Sequence, residues 1–246
     1  RASDAARPEA EGILRRVEQS ATAGFDETHW NDDGSPAHVN VAQSGDCIAI
    51  SISGSRATLM LDAMDGFGGI AITDGYNAYG RFDAGGRHQA CWAHHLRETK
   101  HLARKHGGAV RQELHEDHRS VFRTAKLLAA QRGAHSPRLR DAMGRVMRDM
   151  MDEYRDRGRD DPDMIKVLGK LQRQVSRMFT FLEYPGVDPT NNASERALRY
   201  MVVFRKIIGQ TKGGPPAMRR LADFATCVLT WRRQGKSVYE EISRLI

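Results

Sequence analysis

Three acidic residues stand where the sequence would allow carboxylates to work together on a phosphodiester. Asp26 lies in a β-rich segment, Asp74 ends the apolar run 69–73, and Glu195 lies in the first turn of a helical segment. Mg²⁺ prefers hard oxygen ligands and keeps several waters, so two or three carboxylates can hold it without histidine or cysteine. Two such ions about 3.5–4 Å apart can activate an attacking oxygen and stabilise the leaving one. The three acids therefore indicate metal-dependent phosphodiester chemistry.

Each acid also fits an ordinary structural role. Asp26 could simply end a strand, and Asp74-Gly75 is a common turn pair. Glu195 follows Asn192 at the spacing of a capping box, and a carboxylate near a helix N-terminus is favoured by the helix dipole. Taken one at a time, the spacings leave both interpretations open.

The segments that carry the acids are predicted to belong to an α/β fold. Alternating or β-branched runs between turn clusters predict a three-stranded antiparallel meander. Further strands are expected at 68–73 and 88–92, with helices at 56–64 and 93–106. Apolar residues at helical spacing then predict helices at 121–131, 139–154, 164–181, 193–208, 217–234 and 237–245.

This pattern divides the chain into three parts. Residues 1–20 are expected to be an N-terminal helical remnant with little apolar face. Residues 21–106 and 190–246 would form the catalytic core, interrupted by an all-helical insertion at 107–189. The chain begins at Arg1 and shows no apolar signal segment, so we expect a fragment or a processed chain.

Composition narrows the class of protein further. The 246 residues carry a net charge of +7, and the whole excess lies in 191–246, which holds 11 basic and 4 acidic residues. A basic segment of this kind suggests a surface that binds a polyanion, but a face that contacts only solvent would give the same excess of basic residues. No apolar run reaches the length of a membrane span. Three cysteines without a C-x-x-C pair argue against a disulfide scaffold and suit a reducing cytoplasm.

Four motifs carry a resemblance to a known family. They are Asp26-Glu27-Thr28-x-Trp30, Asp74-Gly75-Tyr76-x-x-Tyr79, Cys91-x-Ala93-His94-His95-Leu96-Arg97-Glu98 and Asn191-Asn192-x-x-Glu195-Arg196-x-Leu198-Arg199. In this order they resemble the transposases of the insertion sequence 66 family, and the resemblance covers roughly 21–246. It implies a ribonuclease H-like mixed sheet with an Asp-Asp-Glu triad, here Asp26, Asp74 and Glu195, that holds two Mg²⁺ or Mn²⁺ ions.

The resemblance also implies a function and partners. It implies DNA strand cleavage and strand transfer of an insertion sequence, by a homo-oligomer assembled on element ends and target DNA in the bacterial cytoplasm, at the nucleoid. Family members carry an N-terminal DNA-binding and cysteine-rich region that residues 1–20 cannot hold. A catalytically inactive DNA-binding remnant, or a ribonuclease H-like nuclease without strand transfer, therefore stays open as an alternative.

Histidines and basic residues near these motifs are candidates for DNA contacts. Seven of the ten histidines fall between His88 and His118, but one C-x-x-H without paired spacing is a weak zinc signal. His94 or His95 could instead touch a phosphate or orient an acid. Leu198, Val202 and Val203 are expected in the core, while Arg219, Arg220, Arg232 and Arg233 are plausible phosphate contacts. The DNA-binding candidates are His94, Arg97, Arg196, Arg199, Arg205, Lys206 and Lys212.

Overall fold

A computed structural model describes residues 2–54, 67–75, 79, 87–105, 107–131, 133 and 135–245. The strands are β1 (Thr22–Asp32), β2 (Ser35–Ser44), β3 (Cys47–Ser53), β4 (Ile70–Thr73) and β5 (His88–Ala90). The helices are α1 (Ala2–Glu18), α2 (Trp92–Lys105), α3 (Ala109–Ala129), α4 (Pro137–Arg157), α5 (Pro162–Met178), α6 (Asn192–Ile208), α7 (Gly214–Arg233) and α8 (Val238–Leu245), with a 3₁₀ turn at Thr180–Leu182. The helix predicted at 56–64 lies outside the described residues.

The strands form one mixed sheet in the order β3-β2-β1-β4-β5, which confirms the predicted mixed α/β class. The predicted meander is also confirmed, because β1 pairs antiparallel with β2 and β2 with β3. In this register Asp26 stands opposite Val41, and Val41 stands opposite Ile50. Side chains alternate between the faces of a strand, so these three residues share one face of the sheet.

The chain divides into two compact units. Unit one contains Arg1–Ala71 and Asn191–Ile246, and unit two contains Ile72–Thr190. Strand β4 crosses the boundary: its first two residues belong to unit one and its last two to unit two.

Unit one has its core between the meander and two helices. Trp30, Val39 and Ile50 lie on one face of the sheet and pack in one buried cluster with residues of α6 and α7. In α6 these residues are Ala197, Leu198 and Met201, at helical spacing. This arrangement lays α6 along the face of β1 that carries Asp26.

Helix α7 protects the outer edge of the sheet. Strand β3 is an edge strand, whose unpaired backbone groups would invite pairing with another chain. Thr226 accepts a 2.9 Å hydrogen bond from the Ile50 N–H, and Thr230 accepts one of 3.0 Å from the Ile48 N–H. The two threonines are one helical turn apart and so satisfy alternate residues of the strand. Gly213, at φ 112°, leads into the helix in a conformation that glycine adopts without strain.

Helix α1 differs from the sequence expectation. The prediction of little apolar face is wrong, because Ala6, Ala10, Ile13 and Val17 form a buried stripe. The helix packs on α7 and β3 within unit one. Two of the four residues are alanines, so the stripe is small in volume although its spacing is helical.

Unit two consists mainly of helices around Trp92. The Trp92 indole stacks on Phe122 at 4.8 Å between ring centroids, meets Phe179 edge-on, and donates its N–H to the Met178 carbonyl. Ser136 and Asp161 cap α4 and α5, each followed by a proline at the first helical position. Helix α3 begins at Ala109, twelve residues before the predicted start at 121.

Within the described part of the chain, no helix combines the length and the apolar character that a membrane span requires. The three cysteines are buried and form no disulfide, as the absence of cysteine pairs predicts.

Candidate active site

The first turn of α6 lies tightly against β1 at Gly24. A Cβ atom built on Gly24 would overlap the Ser194 Oγ atom and would lie 2.8 Å from the Asn191 Oδ1 atom. A side chain at this position would therefore force the Ser194 and Asn191 side chains, or the helix that carries them, to shift. Gly24 is required for the close approach and not for a special backbone angle.

Asn191 and Ser194 fix this contact from the helix side. The Asn191 side-chain amide donates a 2.7 Å hydrogen bond to the Phe25 carbonyl of β1, and Asn191 is almost fully buried. Ser194 is fully buried, and its hydroxyl has no hydrogen-bond partner among the described residues. Two polar side chains are thus buried at the strand. Burying a polar group costs free energy unless it forms a hydrogen bond, so apolar packing alone does not account for this arrangement.

The position of Glu195 weakens its structural interpretation. The Asn191 carbonyl accepts the first helical hydrogen bond, from the Glu195 N–H at 3.1 Å, so Asn191 is the N-cap. Glu195 is then the fourth helical residue, one beyond the capping-box position, and Asn191 forms no side-chain cap hydrogen bond. The predicted Asn192 capping box is therefore wrong.

Asp26 and Glu195 lie on the strand and the helix of unit one that come together at Gly24. Asp26 shares a strand face with Gly24, two residues before it, and this is the face that α6 covers. Glu195 directly follows Ser194, which contacts that glycine position. Both acids are half-buried, and the Asp26 carboxylate accepts a 2.9 Å hydrogen bond from the Glu27 N–H.

Asp74 belongs to unit two, directly after β4. The preceding Thr73 is fully buried, and its hydroxyl lies 2.7 Å from His88 Nε2 and donates to the Asp74 carbonyl. The Thr73 carbonyl in turn accepts the Cys91 N–H at 2.9 Å. Asp74 is thus attached to a well-bonded strand end. The chain bends at Gly75, but Gly75 has no positive φ, and a Cβ there would make only an ordinary contact with Gln174.

The histidines of α2 separate into two groups. His94 is half-buried and Arg97 is exposed. His95 is buried, and burial, with the nearby charges of His94, Lys170 and Arg177, lowers its pKa to about 4. A neutral buried imidazole cannot offer a positive charge to a phosphate, so the suggestion that His95 contacts DNA is wrong.

Histidines of α3 bond to Thr99, one helical turn beyond His95. The Thr99 hydroxyl lies 2.9 Å from His115 Nδ1 and 3.2 Å from His118 Nδ1, and it also bonds back to the His95 carbonyl. Burial lowers the pKa of His118 to about 3. The bonds from Thr99 to His115 and His118 join α2 to α3, and His95 lies buried one turn before Thr99; these four residues are called the histidine cluster.

The basic DNA-binding candidates occupy different surroundings. Arg196 and Arg199 are exposed on α6, one and four residues beyond Glu195. The Arg205 guanidinium, by contrast, already has partners within the chain, because it donates hydrogen bonds to the His29 carbonyl and the Thr28 hydroxyl of β1. Lys206 and Lys212 are exposed.

The sequence interpretation missed Gly24, Asn191 and Ser194 as the residues at the contact between α6 and β1. A glycine two residues before the strand aspartate and an asparagine four residues before the helix glutamate are visible signals. Their meaning depends on the contact between β1 and α6, which no local pattern reveals.

The fold and these residues define a class: a mixed α/β protein with carboxylates on a central strand and on the helix that covers it. The family model described as Transposase IS66 family matches residues 1–215. The chain therefore belongs to the IS66 transposase family, as the four motifs predict, and α1 lies within the matched residues. Membership in this family indicates a nucleic-acid-processing role and implies DNA as the partner. A search of curated proteins finds no match to the chain.

Proposed function

We propose that this chain is the catalytic domain of a DNA transposase, with a ribonuclease H-like core and Asp26, Asp74 and Glu195 as its catalytic acids. The observation that carries the proposal is the close approach of α6 to β1 at Gly24, beside Asp26 and Glu195. Family membership supports the same role. The buried Asn191 and Ser194 support it further, because they fix a helix start that carries an acid outside any capping box.

The donor set fits a hard divalent cation. Asp26 and Glu195 offer carboxylate oxygens from a strand and a helix of unit one, and Asp74 offers another from the end of β4. Mg²⁺ or Mn²⁺ is bound by such oxygens with the remaining positions left to water and substrate. When bound, such an ion activates an attacking oxygen and stabilises the leaving one.

The residues of the chain would then act on two successive phosphodiesters. In the first step a water oxygen forms a new bond to phosphorus and the bond to the 3′ oxygen breaks, which leaves a 3′-OH and a 5′-phosphate. In the second step that 3′-OH attacks a phosphodiester of target DNA and displaces its 3′ oxygen. One phosphodiester is exchanged for another, so this step needs no external energy source and no covalent link to the protein.

Arg199 and His94 would bind DNA phosphates beside the acids. Arg199 stands one helical turn beyond Glu195 and is exposed, so its guanidinium is available for a charge-assisted bond. His94 and Arg97 would do the same from α2, and Arg196, Lys206 and Lys212 from unit one. Such contacts position DNA without reading its sequence.

The test is cleavage of labelled DNA with Mg²⁺ or Mn²⁺, followed by analysis of the products. We expect 3′-OH ends from the wild-type chain and joined products when a pre-cleaved 3′-OH end is supplied with target DNA. Asp26→Asn, Asp74→Asn and Glu195→Gln should remove both products. Glu27→Gln is the matched control, because Glu27 neighbours Asp26 on the opposite face of β1.

Cleavage that persists in the three acid variants would contradict the triad. Cleavage without joining would favour a nuclease without strand transfer. Salt-sensitive DNA binding that ignores divalent cations, with no cleavage, would favour a catalytically inactive DNA-binding protein.

A further inference from the structure

The outer face of α6 carries an exposed apolar stripe that the core does not use. Tyr200, Val203, Phe204 and Ile207 recur at helical spacing, and Ile207 is 75% exposed. Leu198 lies in the core as expected, but the same expectation for Val203 is wrong, because it is half exposed. The stripe forms the floor of a groove of about 730 Å³ within unit one. A contiguous apolar surface of this kind marks an interaction site more often than chance exposure.

The rim of this groove is strongly basic. Arg196 and Arg199 line it from α6, and Arg232 and Arg233 line it from the last turn of α7. No acidic side chain is found among the described residues that line the groove. Four positive charges thus surround an apolar floor, and this combination suits a polyanion that also presents apolar surface.

Two aromatic rings of the floor remain accessible. The Arg232 guanidinium lies over the Tyr200 ring, 5.3 Å from its centroid, yet Tyr200 is still 49% exposed. Phe204 follows one helical turn later and is 36% exposed. Nucleic-acid bases stack on aromatic rings and on planar guanidinium groups, and they also pack against apolar side chains. The floor and the rim therefore match the two parts of an unpaired nucleotide, its base and its phosphate.

A DNA duplex would use only the rim. Its bases are stacked on one another inside the helix, so its surface presents phosphates and the edges of the bases. Such a surface would satisfy the arginines and leave Tyr200, Val203 and Ile207 in contact with solvent. A strand with unpaired bases can bury these side chains, because every base has a face that stacks.

The groove also lies beside the acid of α6. Successive residues of an α-helix are about 100° apart around its axis, so Arg199 lies about 40° from Glu195 and Tyr200 lies about 140° from it, in the same direction. Along the axis Tyr200 is about 7.5 Å beyond Glu195, which is roughly two nucleotides of a stacked strand at about 3.4 Å each. A strand that passes Glu195 can therefore reach Tyr200 by way of Arg199.

We propose that the groove binds unpaired bases of the DNA strand next to the cleavage site, with the bases on Tyr200 and Phe204 and their phosphates on the arginine rim. This rests on the proposed function for the identity of the strand, which is the DNA on which Glu195 acts. Binding in the groove itself requires no metal ion. It can therefore be measured apart from cleavage.

The test is the binding of a labelled oligothymidylate and of a labelled duplex to the whole chain, by fluorescence anisotropy at one salt concentration without divalent cations. Tyr200→Ala should weaken binding of the single strand about fivefold or more, on the scale of one lost base–aromatic stack, and should leave duplex binding unchanged. Tyr200→Phe should bind as the wild type does, because the ring and not the hydroxyl stacks. Tyr239→Ala is the matched control, since it removes an exposed tyrosine of α8 outside the groove.

Photocrosslinking locates the bound strand directly. A single strand that contains iodouracil should crosslink to Tyr200 or Phe204. Three results would overturn the proposal and leave the groove to a protein partner: no binding of the single strand by the wild-type chain, equal effects of Tyr200→Ala on single strand and duplex, or crosslinks that all lie outside the groove. A chain that cleaves DNA but gives any of these results would contradict the groove alone. A chain that binds the single strand as expected but cleaves no DNA would contradict only the proposed function.

Discussion

Two polar regions of this molecule look alike in sequence and differ in what surrounds them. The β1–α6 contact of unit one holds half-buried acids beside a buried asparagine and serine, while the histidine cluster of unit two holds buried imidazoles around Thr99. The acids keep access to solvent, whereas His95 and His118 do not. Residue type suggests chemistry in both regions, but the burial of His95 and His118 leaves only the acids accessible for it.

The largest expected difference between the regions is in activity. Glu195→Gln should lower the rate of metal-dependent strand cleavage by at least about a hundredfold, on the scale of losing one electrostatic stabiliser of a transition state. His118→Gln should leave the cleavage rate of the folded protein unchanged and lower its stability instead. Cleavage rates on samples matched by circular dichroism separate these effects. Equal losses of activity in both variants would break the distinction.

The pH dependence of stability should come from the histidine cluster. Burial lowers the pKa values of His95 and His118 to about 4 and about 3, so the unfolded chain binds more protons between these values and the ordinary value near 6.5. The free energy of unfolding should therefore fall as pH drops from 7 to 5, by roughly 2 kcal/mol for each histidine. Urea unfolding at the two pH values measures this change.

A matched pair of variants tests the source of that pH dependence. His95→Gln should reduce the loss of stability between pH 7 and pH 5, whereas His101→Gln, at an exposed position of the same helix, should leave it intact. If His95→Gln lost as much stability between pH 7 and pH 5 as the wild type, the pH dependence would have to come from other groups.

A smaller effect is expected at the helix–strand contact. Gly24→Ala should destabilise the protein by roughly 1–3 kcal/mol, because the new methyl group overlaps Ser194. The displaced first turn of α6 should also weaken cleavage. G24A/S194A should recover part of both losses, since the hydroxyl that clashes has no other partner among the described residues. Thermal unfolding and cleavage rates are the measurements, and a neutral Gly24→Ala would show that the contact does not hold the acids.

Local sequence patterns predicted those elements whose buried residues are large and regularly spaced. The meander was predictable because its apolar residues alternate, and α5 because Met164, Leu168, Leu171 and Val175 repeat at helical spacing. Helix α3 begins earlier than predicted because its first half buries only Leu114 and His118 among charged residues. The buried alanines of α1 were missed for a similar reason, since small side chains give a weak apolar signal.

The site was predictable only as a set of candidates. Asp26, Asp74 and Glu195 could be named from their motifs, but the pattern could not distinguish Glu195 from a capping residue. That distinction depends on Asn191, whose side chain bonds to β1 instead of to its own helix. Likewise, His94 and His95 are neighbours in sequence, and only the packing of α2 against α3 separates them.

The most direct test of the account is Mn²⁺ binding by calorimetry to the wild-type chain, Asp26→Asn, Glu195→Gln and the double variant, with Glu27→Gln as the control. If β1 and α6 hold one metal site, each single substitution should weaken binding by about tenfold or more, and the double variant should lose less than the two effects combined. Glu27→Gln should bind as the wild type does. Wild-type affinity in Asp26→Asn and in Glu195→Gln would contradict a shared site and would return both acids to structural roles.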